Sequence, residues 1–209
     1  MESTAAVLTG DLIGSTGAGQ AQVDGAMDSI QSVALNEAKL SGADIRFARF
    51  RGDGWQIYCS DPAKVFRLTV LILANLQSRS ELPKTRISAA TGRLTFMPET
   101  GLASASGEAF SVSGRNLDSM GRSRLVHEDA GRKNLWKRPL FSYLAWQAAR
   151  WSPEQAQAIA MTFRFDPPAP GSSAEDLGIS RQAFSARLDG AGYMPVWDAE
   201  RSFEFEAKG

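Results

Sequence analysis

The sequence predicts an α/β (α+β) sandwich with an antiparallel hairpin at its centre over residues 1–130, followed by an all-α module over 131–209. Three observations carry this reading. Short apolar runs with strand character alternate with longer amphipathic helices through the first part. Two of those strands are separated only by Gly52-Asp53-Gly54, a connection that suits a hairpin and is far too short for a crossover. Beyond residue 131 the texture changes to helical segments punctuated by proline.

Taken in order, Ala5–Leu8 is a short apolar strand. Val23, Met27, Ile30, Ala34 and Ala38 recur at steps of three and four, which makes one face of a helix from Ala21 to Leu40 apolar. Ile45–Phe50 alternates apolar and charged residues as a strand, and Trp55–Cys59 returns as its hairpin partner. Asp61-Pro62 is a helix start, with aspartate as N-cap and proline in the first turn. The helix that follows carries Val65, Leu68, Ile72 and Leu76 on one face and more aliphatic residues on the others, so it should be buried. Arg86–Leu94 reads as a strand, Gly107–Met120 as a helix and Leu125–Val126 as a last short strand.

In the second part, Asn134–Arg150 is a connecting helical segment, and Ser152-Pro153-Glu154 opens a helix that reaches Phe163. A proline-rich break at residues 167–171 precedes Ser173–Leu188, which has the layout of a helix-turn-helix. Gly178 permits the turn, Ile179 plugs the angle, Ser180 caps the second helix, and Ala183, Phe184 and Leu188 hold it in place. Ser180, Arg181, Gln182, Ser185 and Arg187 are left outward, a mix suited to phosphates and base edges. Tyr193–Trp197 and Ser202–Phe205 are expected to pair as a two-stranded wing. The segment resembles the winged helix-turn-helix of bacterial regulators. Arg132, Lys133, Lys137 and Arg138 form a basic cluster just upstream.

Composition excludes several classes of chemistry. Lysine plus arginine equals aspartate plus glutamate at 23 each, so net charge says nothing about nucleic-acid or membrane partners. A single cysteine, Cys59, rules out an internal disulfide and a cysteine-rich zinc site. It is read as a buried small hydrophobe. With one histidine, His127, and no serine or cysteine in a nucleophile-elbow setting, triad hydrolysis is not expected. No signal peptide or spanning segment is visible, and a cytoplasmic location is the expectation.

Gly10-Asp11-Leu12-Ile13-Gly14-Ser15-Thr16 and Arg51-Gly52-Asp53-Gly54-Trp55 carry the chemistry. Each follows a strand-like run and is flanked by glycine. Either alone is an ordinary turn; together, two carboxylates at neighbouring strand ends can hold a hard cation that in turn takes phosphates.

With both motifs placed, the first part resembles the catalytic domain of class III nucleotidyl cyclases, which have a palm-type, ferredoxin-like fold. The likeness runs from Ala5 to Val126 as a series of short motifs, including Arg86-Ile87-Ser88-Ala89-Ala90-Thr91-Gly92-Arg93 and the helix opened by Gly107. It implies that Asp11 and Asp53 ligate Mg2+ or Mn2+. It further implies that the backbone of Leu12, Ile13, Gly14, Ser15 and Thr16, with Gly52, cradles phosphates. Arg115 matches the family's transition-state arginine. Ser111 stands where the family has an asparagine, and Arg49 where it has a base-selecting lysine. Joined to a helix-turn-helix, the domain is similar to SatD-like bacterial proteins. The resemblance implies a homodimeric, nucleotide-responsive transcriptional regulator that binds a nucleoside triphosphate and DNA. The alternatives are an active cyclase or cyclic-oligonucleotide synthase, or a degenerate palm domain used only for dimerisation.

Overall fold

The computed structural model describes residues 3–50, 52–121, 123–131, 135–163 and 170–208. Its centre is β1 (Thr4–Leu12), whose burial is nearly continuous because both of its edges and both of its faces are covered. β1 pairs antiparallel with β3 (Gly54–Cys59) on one side and with β4 (Thr85–Phe96) on the other. β2 (Ile45–Phe50) joins β3 as the predicted hairpin, and Gly52 at its tip adopts φ 77°, a conformation that favours glycine. β6 (Leu125–Asp129) runs parallel to β4, and the two-residue β5 (Ser106–Gly107) pairs with the far end of β4. The sheet is therefore mixed and mostly antiparallel, an α/β arrangement compatible with a palm-like domain.

Alternation along β1 assigns its two faces. Ala6, Leu8 and Leu12 point into the main core beneath α1 (Gln20–Ser41) and α2 (Val65–Gln77). Ala5 and Val7 point the other way, toward α3 (Glu108–Ser119) and its Ala109. On that second face Thr9 and Ser113 share a hydrogen bond of 2.8 Å. Asp61 caps the turn before α2 as expected, accepting from the Ala63 amide. Among residues 65–77, α2 leaves no face exposed, which its near-continuous aliphatic sequence requires.

α4 (Lys137–Ala148) and α5 (Pro153–Thr162) extend the helical layer. Phe141, Leu144, Trp151, Ile159 and Phe163 belong to the same apolar cluster as Leu8 and Ile57. Ser152 closes a capping box with Gln155. α6 (Pro170–Asp176) and α7 (Arg181–Ala191) form the predicted bihelical unit, with Ser180 capping α7 by accepting from the Ala183 amide at 3.1 Å. Ala174 and Phe184 pack on Ala158 of α5, with Ile179 against them.

The expected wing is absent. Tyr193–Lys208 is one helix, α8, and the winged form of the module is corrected accordingly. Val196, Glu200 and Phe203 are all buried, at steps of four and three, so the interior is met with a helical period rather than an alternating one. Ion pairs from Lys64 to Glu204, from Arg67 to Glu200 (2.5 Å) and from Lys137 to Glu206 (3.6 Å) hold α8 on the rest of the molecule.

Candidate phosphate and cation site at the ends of β1, β3 and β4

Asp11 lies inside β1, directly opposite Gly54 on β3 and Arg86 on β4. Directly opposed residues share a face, so Asp11 and Arg86 meet on the α3 side of the sheet. Arg86 grips both carboxylate oxygens: Nε donates to Oδ1 at 2.9 Å and Nη2 to Oδ2. The hydrogen bonds it donates to Asp11 hold the guanidinium above its ordinary pKa against the opposing effect of burial, and the charges of Asp11 and Asp53 add to them. Both side chains remain open, with 27% of Asp11 and 34% of Arg86 exposed, so the pair can exchange partners with a ligand.

Asp53 occupies the β2–β3 turn. Its carbonyl accepts from the Leu12 amide at 3.2 Å, and its Oδ2 accepts from the Ser15 hydroxyl. Strand pairing thus brings the two predicted aspartates to adjacent chain ends, with Arg86 under the influence of both. Arg86 is the member that sequence reading missed. Its signal is available in the register: it is the charged residue facing Asp11 on a strand whose next positions are buried.

The loop after β1 differs from the expectation. Leu12 and Ile13 spend their amides on Asp53 and Lys84 carbonyls (3.2 and 2.7 Å), so they are not available to phosphate. Gly14, Ser15 and Thr16 are the amides left without a backbone acceptor among the described residues. Arg49 stands on the other face, opposite Trp55, where it donates to Asp24 Oδ1 (2.6 Å) and the Gly52 carbonyl (2.8 Å). Ser111 and Arg115, one turn apart, are exposed on α3, while neighbouring Val112 and Ser113 face the sheet. Arg51 lies outside the described residues, as do Arg132 and Lys133 of the basic cluster. Lys137 of that cluster is buried and donates to Asp129 at 3.0 Å, so it is not a surface charge.

Among the described residues no group of three His, Cys, Asp or Glu side chains converges to hold a metal ion. Asp11 and Asp53 are the two carboxylates that could take a cation there. Two carboxylates face one guanidinium, leaving a net negative charge, and Asp53 Oδ1 accepts no hydrogen bond from a described residue. Each Asp11 oxygen accepts one Arg86 N–H and keeps a second lone pair, so a cation could share the carboxylate with Arg86 or displace it from one oxygen.

On the bihelical unit, Ser180, Arg181, Gln182 and Ser185 are exposed and Arg187 is half-buried. Arg181 lies over Gly171 at the start of α6, and a side chain at Gly171 would meet its guanidinium. Exposed Glu175 and Asp176 stand close in the same unit, so its surface is of mixed sign. No described helix is long and apolar enough to cross a membrane. Cys59 is buried as read, and its burial pushes the thiol up to about 12, which keeps it an unreactive thiol.

No family model matches the sequence, and no curated protein matches it. Among solved structures, the chain is similar to the crystal structure of the guanylyl cyclase Cya2 at 16% identity and a TM-score of 0.40. That likeness covers 57% of this chain and 73% of the cyclase.

Proposed function

We propose that this chain binds a nucleoside triphosphate together with Mg2+ or Mn2+ at the ends of β1, β3 and β4, and that occupancy governs how the α6–α7 unit meets DNA. The observation that carries the nucleotide reading is the grouping of Asp11, Asp53 and Arg86 beside the open turn 14–16. A site with two carboxylates and one guanidinium repels a bare triphosphate, so the phosphates need an accompanying cation. Asp11 and Asp53 would hold that ion, and when bound it supplies charge neutralisation and polarises the phosphate oxygens. Arg86, released from Asp11, is then placed to donate a charge-assisted fork to phosphate.

Ser111 and Arg115 both look outward from α3, a placement that favours their meeting a ligand held by a second copy. Turnover to a cyclic or oligomeric nucleotide therefore requires a homodimer under this reading. The α6–α7 unit supports the DNA half of the proposal through its capped second helix and the exposed polar residues at its start.

Calorimetric titration of ATP and GTP, with and without Mn2+, tests the nucleotide reading. The expected result is cation-dependent binding that Asp53→Ala removes while thermal stability is kept. In Asp11→Ala, Arg86 is unpaired, and weak binding of triphosphate should become cation-independent. Nucleotide affinity indifferent to both cation and Asp53 would refute the site. Pyrophosphate release in the same samples reports turnover. A gel shift with genomic fragments, repeated with Arg181→Ala, tests the DNA half; no shift with the unaltered protein ends that part of the proposal.

A further inference from the structure

The solvent face of α4 carries a layered group of side chains that neither the nucleotide site nor the bihelical unit uses. Tyr143 and Trp146 are 55% and 52% exposed, and their rings stack at a centroid distance of 5.6 Å and 26°. The Arg150 guanidinium lies 3.9 Å over the Trp146 ring and is fixed there by a 2.8 Å hydrogen bond to the Trp146 carbonyl. Two large rings left in water on one helix turn are costly to maintain without a partner, since each gives up the burial that drives its type inside.

The electrostatics of the surroundings select the partner. From Lys137 to Arg150 the chain contains no acidic residue, although the protein as a whole is neutral. Exposed Arg138 stands in the first turn of α4. Ala145, Ala148 and Ala149 form one wall of a shallow groove whose other side includes Lys84 and Arg124, again with no acidic lining residue. Flat exposed rings bordered by cations of one sign match a polyanion that presents π-faces. A lipid surface would ask for aliphatic anchors on this face, and α4 offers Ser142 and Ala149 there instead.

We infer that this face of α4 binds single-stranded nucleic acid, with one base stacking on the outer face of Tyr143 and a second taking the Trp146 face that Arg150 covers, as Arg150 turns to the phosphate backbone alongside Arg138 and Arg124. The inference is independent of the nucleotide site and of α7. A duplex keeps its bases stacked on each other, so it should bind more weakly than a single strand.

Fluorescence anisotropy of labelled oligothymidylate and oligouridylate, each at two salt concentrations and alongside a duplex of matched length, tests it with the full chain. The unaltered protein should bind the single strands. Trp146→Ala should weaken binding by between about five- and about 150-fold, with an unchanged melting midpoint, and Trp146→Phe should retain most of the affinity. Arg138→Ala and Arg124→Ala, which leave the rings intact, should each lower the slope of log affinity against log salt by about 0.7. Preference for oligouridylate assigns RNA, and equal binding assigns either strand type. The inference is overturned if the unaltered protein binds neither oligomer or if Trp146→Ala binds like it. It is also overturned if Trp146→Ala disrupts self-association or sedimentation with anionic vesicles and leaves oligomer binding intact.

Discussion

Replacing His127 with phenylalanine should make the protein more stable and remove most of its sensitivity to mild acid. The His127 ring is buried on β6, 4.7 Å from the Phe141 ring and 5.5 Å from that of Phe203. Neither ring nitrogen has a hydrogen-bond partner among the described residues. Burial is the main cause that drives its pKa down from 6.5 to about 4; nearby Asp129 pulls it up and Lys137 pushes it further down. A histidine whose folded value is depressed contributes stability that is complete above its unfolded pKa, near 6.5, and lost as pH falls through about 4. At about 1.4 kcal/mol per pH unit between those values, the loss approaches about 3 kcal/mol. Phenylalanine fills the same slot between two rings and has nothing to protonate. It also removes a buried N–H that lacks an acceptor, a gain of about 1–3 kcal/mol at neutral pH.

Urea unfolding of both proteins at a series of pH values from neutral to about 4.5 measures this, because the midpoint tracks stability while the slope stays constant. Two other buried carboxyls also shape the response to acid. Glu200, raised chiefly by its burial, gains stability as pH falls, and Asp129 is held below the usual carboxylate range despite its own burial by Thr91, His127 and Lys137. Glu200 titrates alike in both proteins and cancels, whereas Asp129 loses the influence of His127, so the difference between the two curves reports the His127–Asp129 pair. Parallel curves would refute the reasoning, as would a variant that is less stable at neutral pH.

Two further substitutions probe how the structure is held. Glu200→Ala should cost about 3–5 kcal/mol by stranding Arg67, which is 4% exposed, whereas Arg67→Met with Glu200→Leu should unfold near the wild-type denaturant midpoint. If the single and double variants lose the same amount, the ion pair is not the cause. Gly10→Ala should destabilise by about 1–3 kcal/mol, because a Cβ there would lie 2.5 Å from the Arg86 carbonyl and collide with the Trp55 indole. A melting midpoint within error of the unaltered protein would show that β1 can shift there.

Much of the fold is readable because local signals and burial agree. The three- and four-residue steps of Val23, Met27, Ile30 and Ala34 describe the face of α1 that is buried. Asp61-Pro62, Ser152-Pro153 and Ser180 each mark a helix start through a side-chain cap. α8 was illegible for a specific reason. Its inward stripe includes Glu200, and a charged residue at a core position breaks the apolar period unless Arg67, more than a hundred residues earlier, is known to meet it. The candidate site divides in the same way. Asp11 and Asp53 are visible because glycine marks their turns. Arg86 and the diversion of Arg49 to Asp24 depend on strand register and helix placement, which no local motif encodes.

A relay runs beneath the site: the Trp55 Nε1–H donates to the Thr85 hydroxyl at 3.0 Å, and that hydroxyl donates to the Asp11 carbonyl at 2.7 Å. Because Gly10 has no side chain, the indole can cross β1 at this level and tie three strands together. The main chain of Asp11 is therefore pinned from both neighbours. Under the proposed function, recognition would then be a contest over a single guanidinium on a tied floor, with the speed of capture set by how readily Arg86 swings away and not by any opening of the sheet.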